Sequence, residues 1–310
     1  MGSYAYFRKQ IVPIEEANVN IMTHALNYGT GCFEGIRGNW NEEHEQIYLF
    51  RMRDHFDRLK RSARILRIDI PESADELCEL TIDLVRRSGY MEDVYVRPLA
   101  YKSESVIGPR MHDVEDDLNI FVIPFGDYLD ADNGIRCCTS SWRRVPDTSI
   151  PGRAKVTGIY VNNALAKTEA TDNGYDEAIM LTQEGNISEG SGENIFLVSG
   201  GQLVTPAPAE GILVGITRNT VMEVARRELG VETVERQIPR SEVYGAEEVF
   251  LTGTAAHLTP VIEMDGRVIG SGGAGPITRK LMGLYYEIIR GNSATYSAWC
   301  TPVSPVTVGA

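Results

Sequence analysis

Apolar residues recur along this 310-residue chain at helical spacing in some segments and at alternate positions in others. Across residues 53–67, Phe56, Leu59, Ala63 and Leu66 recur every three or four positions, which predicts a helix with one apolar face. Arg51, Arg53, Arg58, Arg61, Arg64 and Arg67 fill the other positions, and periodicity does not say which one turns inward. Residues 71–89 predict a second amphipathic helix, with Leu77, Leu80, Leu84 and Val85 inward and Gly89 as its stop. Alternation takes over at 94–101, placing Tyr95, Arg97 and Leu99 on one strand face and Val94, Val96 and Pro98 on the other. Residues 118–124 predict a buried strand. Residues 125–134 lack periodicity and predict an interdomain linker.

The second half predicts a strand at 135–142 and a helix at 160–173 with Leu165 and Ala166 inward. Apolar runs at 178–181 and 195–198 flank a tight connection. A helix follows at 216–229, ended by Gly230, then a hairpin at 261–269 turning on Asp265-Gly266 and a last helix at 277–290. Ser, Thr and Pro predict a loose tail from about 291. The expected class is mixed α/β, with domains at 1–124 and 135–310.

Composition narrows the function. The net charge of −13 argues against a nucleic-acid surface, so an anionic substrate would need a local arginine cluster. No apolar run approaches the ~20 residues of a membrane helix. The first residues, M-G-S-Y-A-Y-F-R-K, carry no apolar targeting run. The five cysteines form no C-x-x-C, and adjacent Cys137 and Cys138 are expected on opposite faces of one strand. These features predict a reduced, cytoplasmic setting. The five histidines are dispersed without metal-ligand spacing, so no metal site is expected.

Three stretches carry candidate chemistry. N-I-S-E-G-S-G-E-N-I-F, 186–196, sets Glu189 and Glu193 around Gly190-Ser191-Gly192, which fits a carboxylate fixed near a cation or a hairpin with two solvated acids. Of the six lysines, only Lys155 lies among small residues, Gly152, Ala154 and Gly158, as a desolvated Schiff-base amine requires. Lys60, Lys167 and Lys280 are expected in solvent, and Lys102 in a polar loop. Gly215-Ile216-Thr217-Arg218 opens a helix, where N–H groups and the dipole favour an anion, although an ordinary threonine cap fits too. Gly253-Thr254-Ala255-Ala256 offers similar chemistry. A lysine, an anion-binding helix start and a fixed carboxylate are the parts of a pyridoxal-phosphate site. The run Gly270–Gly275 matches G-x-G-x-x-G, but no strand and acid follow it as a dinucleotide site requires.

Seven ordered blocks then align with one family: A-L-N-Y-G-T-G-C-F-E-G-I-R, H-F-D-R-L, Y-V-R-P, S-S-W-R-R-V-P-D-T-S-I-P-G-R-A-K, I-S-E-G-S-G-E-N-I-F, G-I-T-R and L-T-G-T-A-A-H-L-T-P-V. Over about residues 4–290 the chain resembles the branched-chain amino-acid aminotransferases, which are fold-type IV enzymes dependent on pyridoxal 5′-phosphate. The resemblance implies a small N-terminal α/β domain, a larger C-terminal pseudo-barrel domain and the cofactor between them. It implies that Lys155 holds the cofactor and moves the substrate proton, that Glu189 faces the pyridine nitrogen, and that Tyr160 meets the ring's 3-oxygen. Arg58, Ile216, Thr217 and Thr254 would hold the phosphate. Tyr95, with the backbone of Thr254 and Ala255, would hold the substrate α-carboxylate, and Arg97 the side-chain carboxylate of glutamate. Tyr28, Phe33, Gly35, Phe125 and Tyr128 would line the apolar wall.

The resemblance also implies a homodimer or higher homo-oligomer, in which a loop within Ser103–Met111, presenting Ile107, covers the partner's pocket. That loop departs from the common G-V-N-P form, and Phe125 stands where a tryptophan is frequent; both changes would widen the pocket. The implied reaction is ping-pong transfer of the amine of leucine, isoleucine or valine to 2-oxoglutarate. A D-amino-acid or (R)-amine transaminase and an aminodeoxychorismate lyase share the fold, and Tyr95-Val96-Arg97-Pro98 favours the branched-chain reading. A non-catalytic binding protein of this fold would not need Lys155, Tyr160 and Glu189 together.

Overall fold

The computed structural model describes residues 2–126 and 128–303. The chain divides into two compact units, Met1–Gly126 with Ala154–Gly158 and Glu287–Ala310, and Asp127–Arg153 with Ile159–Tyr286. Both mix helices with sheet, the class that the sequence predicts.

The first unit carries strands β1 (Tyr4–Phe7), β2 (Gln10–Pro13), β3 (Gly31–Phe33), β4 (Ile36–Asn41), β5 (Gln46–Phe50), β6 (Val94–Lys102) and β7 (Asp116–Pro124). They form an antiparallel sheet in the order β5-β4-β6-β7-β1-β2, with β3 also on β6. Helices α1 (His24–Tyr28), α2 (Met52–Ile65) and α3 (Ala74–Ser88) join it. On α2 the predicted stripe is buried at Phe56, Leu59 and Ala63. A capping box between Ser73 and Glu76 starts α3, and Gly89 ends it at φ 66°.

Residues 292–303 of the expected loose tail are not loose, and residues 304–310 lie outside the described residues. Residues Cys300–Val303 add a strand antiparallel to β5, and Tyr296, Cys300 and Val303 are buried. A polar composition hid a sheet edge whose partner lies about 250 residues away in sequence. Ala154–Gly158 and the chain from Glu287 group with the first unit, inside the span 135–310 expected for the second domain. Val156 bridges Cys32 there, and the terminal strand completes the sheet.

The second unit holds β8 (Ile135–Thr139), β9 (Glu177–Leu181), β10 (Ile187–Gly190), β11 (Asn194–Ser199), β12 (Gln202–Pro206), β13 (Thr233–Arg236), β14 (Glu248–Gly253), β15 (His257–Met264) and β16 (Arg267–Val268). They form a curled sheet in the order β10-β9-β8-β15-β14-β11-β12-β13, with β16 on β15. Pairs β8–β9, β8–β15 and β12–β13 are parallel. The helices are α4 (Tyr160–Asp172), α5 (Ile216–Leu229), the short α6 (Arg240–Val243) and α7 (Pro276–Ile289). Cys137 packs with Ile179 and Leu251, while Cys138 packs with Ala166 and Ala170 of α4, so the adjacent cysteines do face opposite ways. Leu165, expected inward, is exposed, and its neighbour Ala166 takes the buried position. Among the described residues, no helix is long and apolar enough to cross a membrane.

Candidate active site

Lys155 lies on an extended stretch fastened at its backbone. Its N–H donates to the Ser62 hydroxyl at 3.2 Å, and its carbonyl accepts the Phe33 N–H at 3.0 Å. The amine lies over the Phe33 ring, 5.0 Å from the centroid. Small residues are required here because a Cβ on Gly29 would stand 2.9 Å from the Gly158 Cα, and Gly29 has φ +65°.

Burial answers which arginine of α2 turns inward. Arg58 is buried, whereas Arg53, Arg61 and Arg64 are exposed. Its Nε and Nη2 donate to Oε1 and Oε2 of Glu34 at 2.7 and 2.8 Å, and His55 Nδ1 donates to Oε2 at 2.7 Å. Burial works to raise the Glu34 carboxyl, but Arg58 and then His55 outweigh it and hold it well below the usual carboxylate range. Burial lowers the His55 imidazole, which favours its neutral form.

Tyr95 and Arg97 project from one face of β6, and Arg97 Nη2 donates to the Tyr95 hydroxyl at 3.1 Å. The Arg97 guanidinium lies over Phe33 at 4.4 Å and over Tyr95 at 5.1 Å. Tyr95 in turn tilts against Phe125, with centroids 5.1 Å apart. A Cβ on Gly35 would fall 2.0 Å from the Tyr95 hydroxyl, so glycine admits this placement. The Tyr28 hydroxyl accepts the Gly108 N–H at 2.9 Å, and His24 Nε2 donates to the Gly108 carbonyl at 2.8 Å. Ile107, beside Gly108, is exposed.

In the second unit, three donors converge on the buried carboxylate of Glu189. Arg144 Nη2 reaches Oε1 at 2.8 Å, while Asn194 Nδ2 and the Leu213 N–H reach Oε2 at 3.1 and 3.0 Å. Gly215, which precedes α5, makes room for Asn194, since a Cβ there would stand 2.1 Å from its Oδ1. Ile216 and Thr217, the first residues of α5, are buried. Thr254 and Ala255 lie half-buried in the turn between β14 and β15. Tyr160 opens α4, and Tyr128 is exposed.

Glu189 and Glu193 do not flank a hairpin. Glu189 is on β10 and Glu193 just precedes β11, strands consecutive in the chain but separated by four strands in the sheet order. Glu193 turns into the interior, where it accepts the Gly192 N–H at 3.1 Å. Burial first, and then Glu177, push its carboxyl up to about 8, so it holds its proton at neutral pH.

Lys155, Arg58, Arg97, Tyr28, Phe33, Tyr95 and Phe125 belong to the first unit, while Arg144, the buried carboxylate of Glu189, Tyr128 and the start of α5 belong to the second. The model for the amino-transferase class IV family matches residues 31–264. The chain belongs to the class IV aminotransferases. A probable branched-chain-amino-acid aminotransferase of Aquifex aeolicus is 51% identical to this aminotransferase over 300 residues, covering 97% of this chain and 96% of the relative. The branched-chain aminotransferase of Thermoproteus uzoniensis, crystallised with norvaline, superposes with a TM-score of 0.93 at 47% identity, covering 98% of this chain and 100% of that one. That of Thermobaculum terrenum in its PLP form matches with a TM-score of 0.93 at 40% identity, covering 98% and 99%.

Three other lysines of this aminotransferase differ from expectation. Lys102 is buried, paired with Asp116 at 2.7 Å and bonded to the Arg67 carbonyl at 2.7 Å. Lys60 donates to the Ile70 carbonyl at 3.0 Å, and Lys167 pairs with Glu177 at 2.7 Å. The sequence reading also missed Glu34, His55, Ser62, Arg144 and Asn194. All but Ser62 lie inside the aligned blocks, yet nothing in a block marks which side chain turns inward.

Proposed function

We infer that this aminotransferase moves the amino group of L-leucine, L-isoleucine or L-valine to 2-oxoglutarate, with pyridoxal 5′-phosphate, by a ping-pong cycle. The observation that carries the substrate class is Arg97. Its guanidinium lies over Phe33 and Tyr95, 4.4 and 5.1 Å from their centroids. An aromatic wall takes a branched aliphatic side chain, and the guanidinium takes the distal carboxylate of glutamate on the other half-cycle.

The side chains present fit the cofactor. Glu189, buried and held by Arg144 and Asn194, suits a protonated pyridine nitrogen. Buried Arg58 and the start of α5 suit a phosphate. When bound, the cofactor supplies a carbonyl carbon to carry the amino group and a ring that accepts the electron pair released at the substrate Cα. Lys155 would hold the cofactor through its amine and then take the Cα proton. Tyr160 would donate to the ring 3-oxygen. Arg58, Ile216, Thr217 and Thr254 would hold the phosphate. Tyr95, with the backbone of Thr254 and Ala255, would hold the α-carboxylate. Tyr28, Phe33, Gly35, Phe125, Tyr128 and the partner's loop around Ile107 would exclude water.

A cytoplasmic homodimer or larger homo-oligomer belongs to this reading. Exposed Ile21, Leu26 and Ile107 support it, as large apolar side chains that a second copy would cover. The test is the absorbance spectrum of the holoenzyme before and after L-leucine without an acceptor. The cofactor band should convert to the pyridoxamine form with L-leucine, and not with D-alanine or (R)-1-phenylethylamine. A response chiefly to the D-acid or the amine would replace the branched-chain reading. Turnover surviving Lys155→Ala would end it.

A further inference from the structure

Arg144 lies in the segment after β8, and only 4% of its side chain is exposed. Its three nitrogens reach three different elements. Nε donates to the Gly211 carbonyl at 3.0 Å, Nη1 to Asn163 Oδ1 at 3.0 Å and Nη2 to Glu189 Oε1 at 2.8 Å. Asn163, on the first turn of α4, passes the connection on to the Ser191 carbonyl at 2.5 Å. Its own backbone is anchored, since the Arg144 N–H donates to the Leu181 carbonyl at 2.8 Å and its carbonyl accepts from Gln183 Nε2 at 2.9 Å.

The partners of Arg144 belong to the connections that carry the proposed cofactor contacts. Glu189 is on β10, Gly211 leads into α5 with Ile216 and Thr217, and Asn163 is one turn along α4 from Tyr160. A buried carboxylate without a counter-charge takes up a proton, and an arginine prevents this because it stays charged at any working pH. The planar fork also fixes direction. A lysine would restore the charge at one atom but could not reach three partners in three directions.

We propose that Arg144 is a positioning residue for transamination, orienting the Glu189 carboxylate and holding it ionised so that the cofactor's ring nitrogen keeps its proton. This rests on the reading that Glu189 serves that nitrogen.

The test reconstitutes wild type, Arg144→Met, Arg144→Lys and Glu189→Gln with pyridoxal 5′-phosphate labelled with 15N in the ring. The 15N chemical shift separates a protonated from an unprotonated ring nitrogen, which a merely structural brace would not move. The wild type should show the protonated shift at neutral pH, and Glu189→Gln should lose it. Arg144→Met should lose it too, with cofactor affinity weakened about tenfold or more, the equivalent of one pKa unit. Arg144→Lys should keep most of the protonated shift while its affinity falls several-fold, and it remains the deciding variant if Arg144→Met does not fold. A wild-type shift and affinity in the Arg144 variants, beside a changed shift in Glu189→Gln, would overturn the role of Arg144 alone. An unchanged shift in Glu189→Gln would overturn the assignment of Glu189 and this inference with it.

Discussion

Glu34 grips Arg58 at two points, Oε1 to Nε at 2.7 Å and Oε2 to Nη2 at 2.8 Å, with both side chains buried. An arginine held this way presents its guanidinium in one orientation. The same grip ties β4's approach to α2, so the proposed phosphate contact and the fold depend on one carboxylate.

Glu34→Gln should therefore weaken both. Removing one partner of a buried ion pair costs about 3 kcal/mol, readable as a lower urea midpoint. The folded Glu34 carboxyl lies below its unfolded value, so its stabilisation is complete above the ordinary carboxylate range and fades as pH falls through and below it. The wild type should accordingly lose more stability than the variant between neutral pH and pH ~3. Parallel losses in the two proteins would show that the pair contributes nothing.

Gly35→Ala tests the approach of Tyr95. The added carbon would lie 2.0 Å from the Tyr95 hydroxyl, so the ring must shift. A displacement of that order at a substrate contact costs about a hundredfold in kcat/KM. Steady-state kinetics with L-leucine should show this loss while the melting temperature moves little. Unchanged kinetics would remove Tyr95 from carboxylate binding.

Glu193 makes an alkaline prediction. Its folded carboxyl is pushed up to about 8 by burial and Glu177, above its unfolded value, so the folded state holds a proton that the unfolded state has released. Stability should fall from ordinary carboxylate pH up to pH ~8 and then level off. Glu193→Gln, which mimics the protonated form, should flatten that decline and be the more stable protein near pH 8. Calorimetry across that range decides it, and an equal slope in both proteins would count against the buried proton.

The glycine run 270–275 belongs to a helix cap. Glu248 accepts the Ile277 N–H at 3.0 Å, the Thr278 N–H at 2.7 Å and the Thr278 hydroxyl at 2.6 Å. A Cβ on Gly275 would fall 2.1 Å from that carboxyl carbon. Glu248→Ala should cost about 2 kcal/mol and speed amide exchange at Ile277 and Thr278 without altering KM. Protection unchanged at both amides would show that the cap is dispensable.

Much of this was legible locally. The stripe Phe56-Leu59-Ala63 identified α2, alternation identified β6, and Asp265-Gly266 marked a turn in which both residues have positive φ. The order of the motif blocks named the family. Lys102 was misread, because its partners, Asp116 and the Arg67 carbonyl, come from other elements. The terminal strand was missed because its apolar residues are few and its partner is β5.

The sequence by itself determined the longer helices, most strands and the family, because those rest on short-range periodicity and on side-chain type. Tertiary structure decided which arginine of α2 is buried, why residue 35 is glycine, that β10 and β11 pair with different strands, and that Arg144 holds Glu189. Each of these depends on groups brought together from distant parts of the chain, where burial sets the strength of an ion pair and the position of a proton. Local spacing carries no record of either.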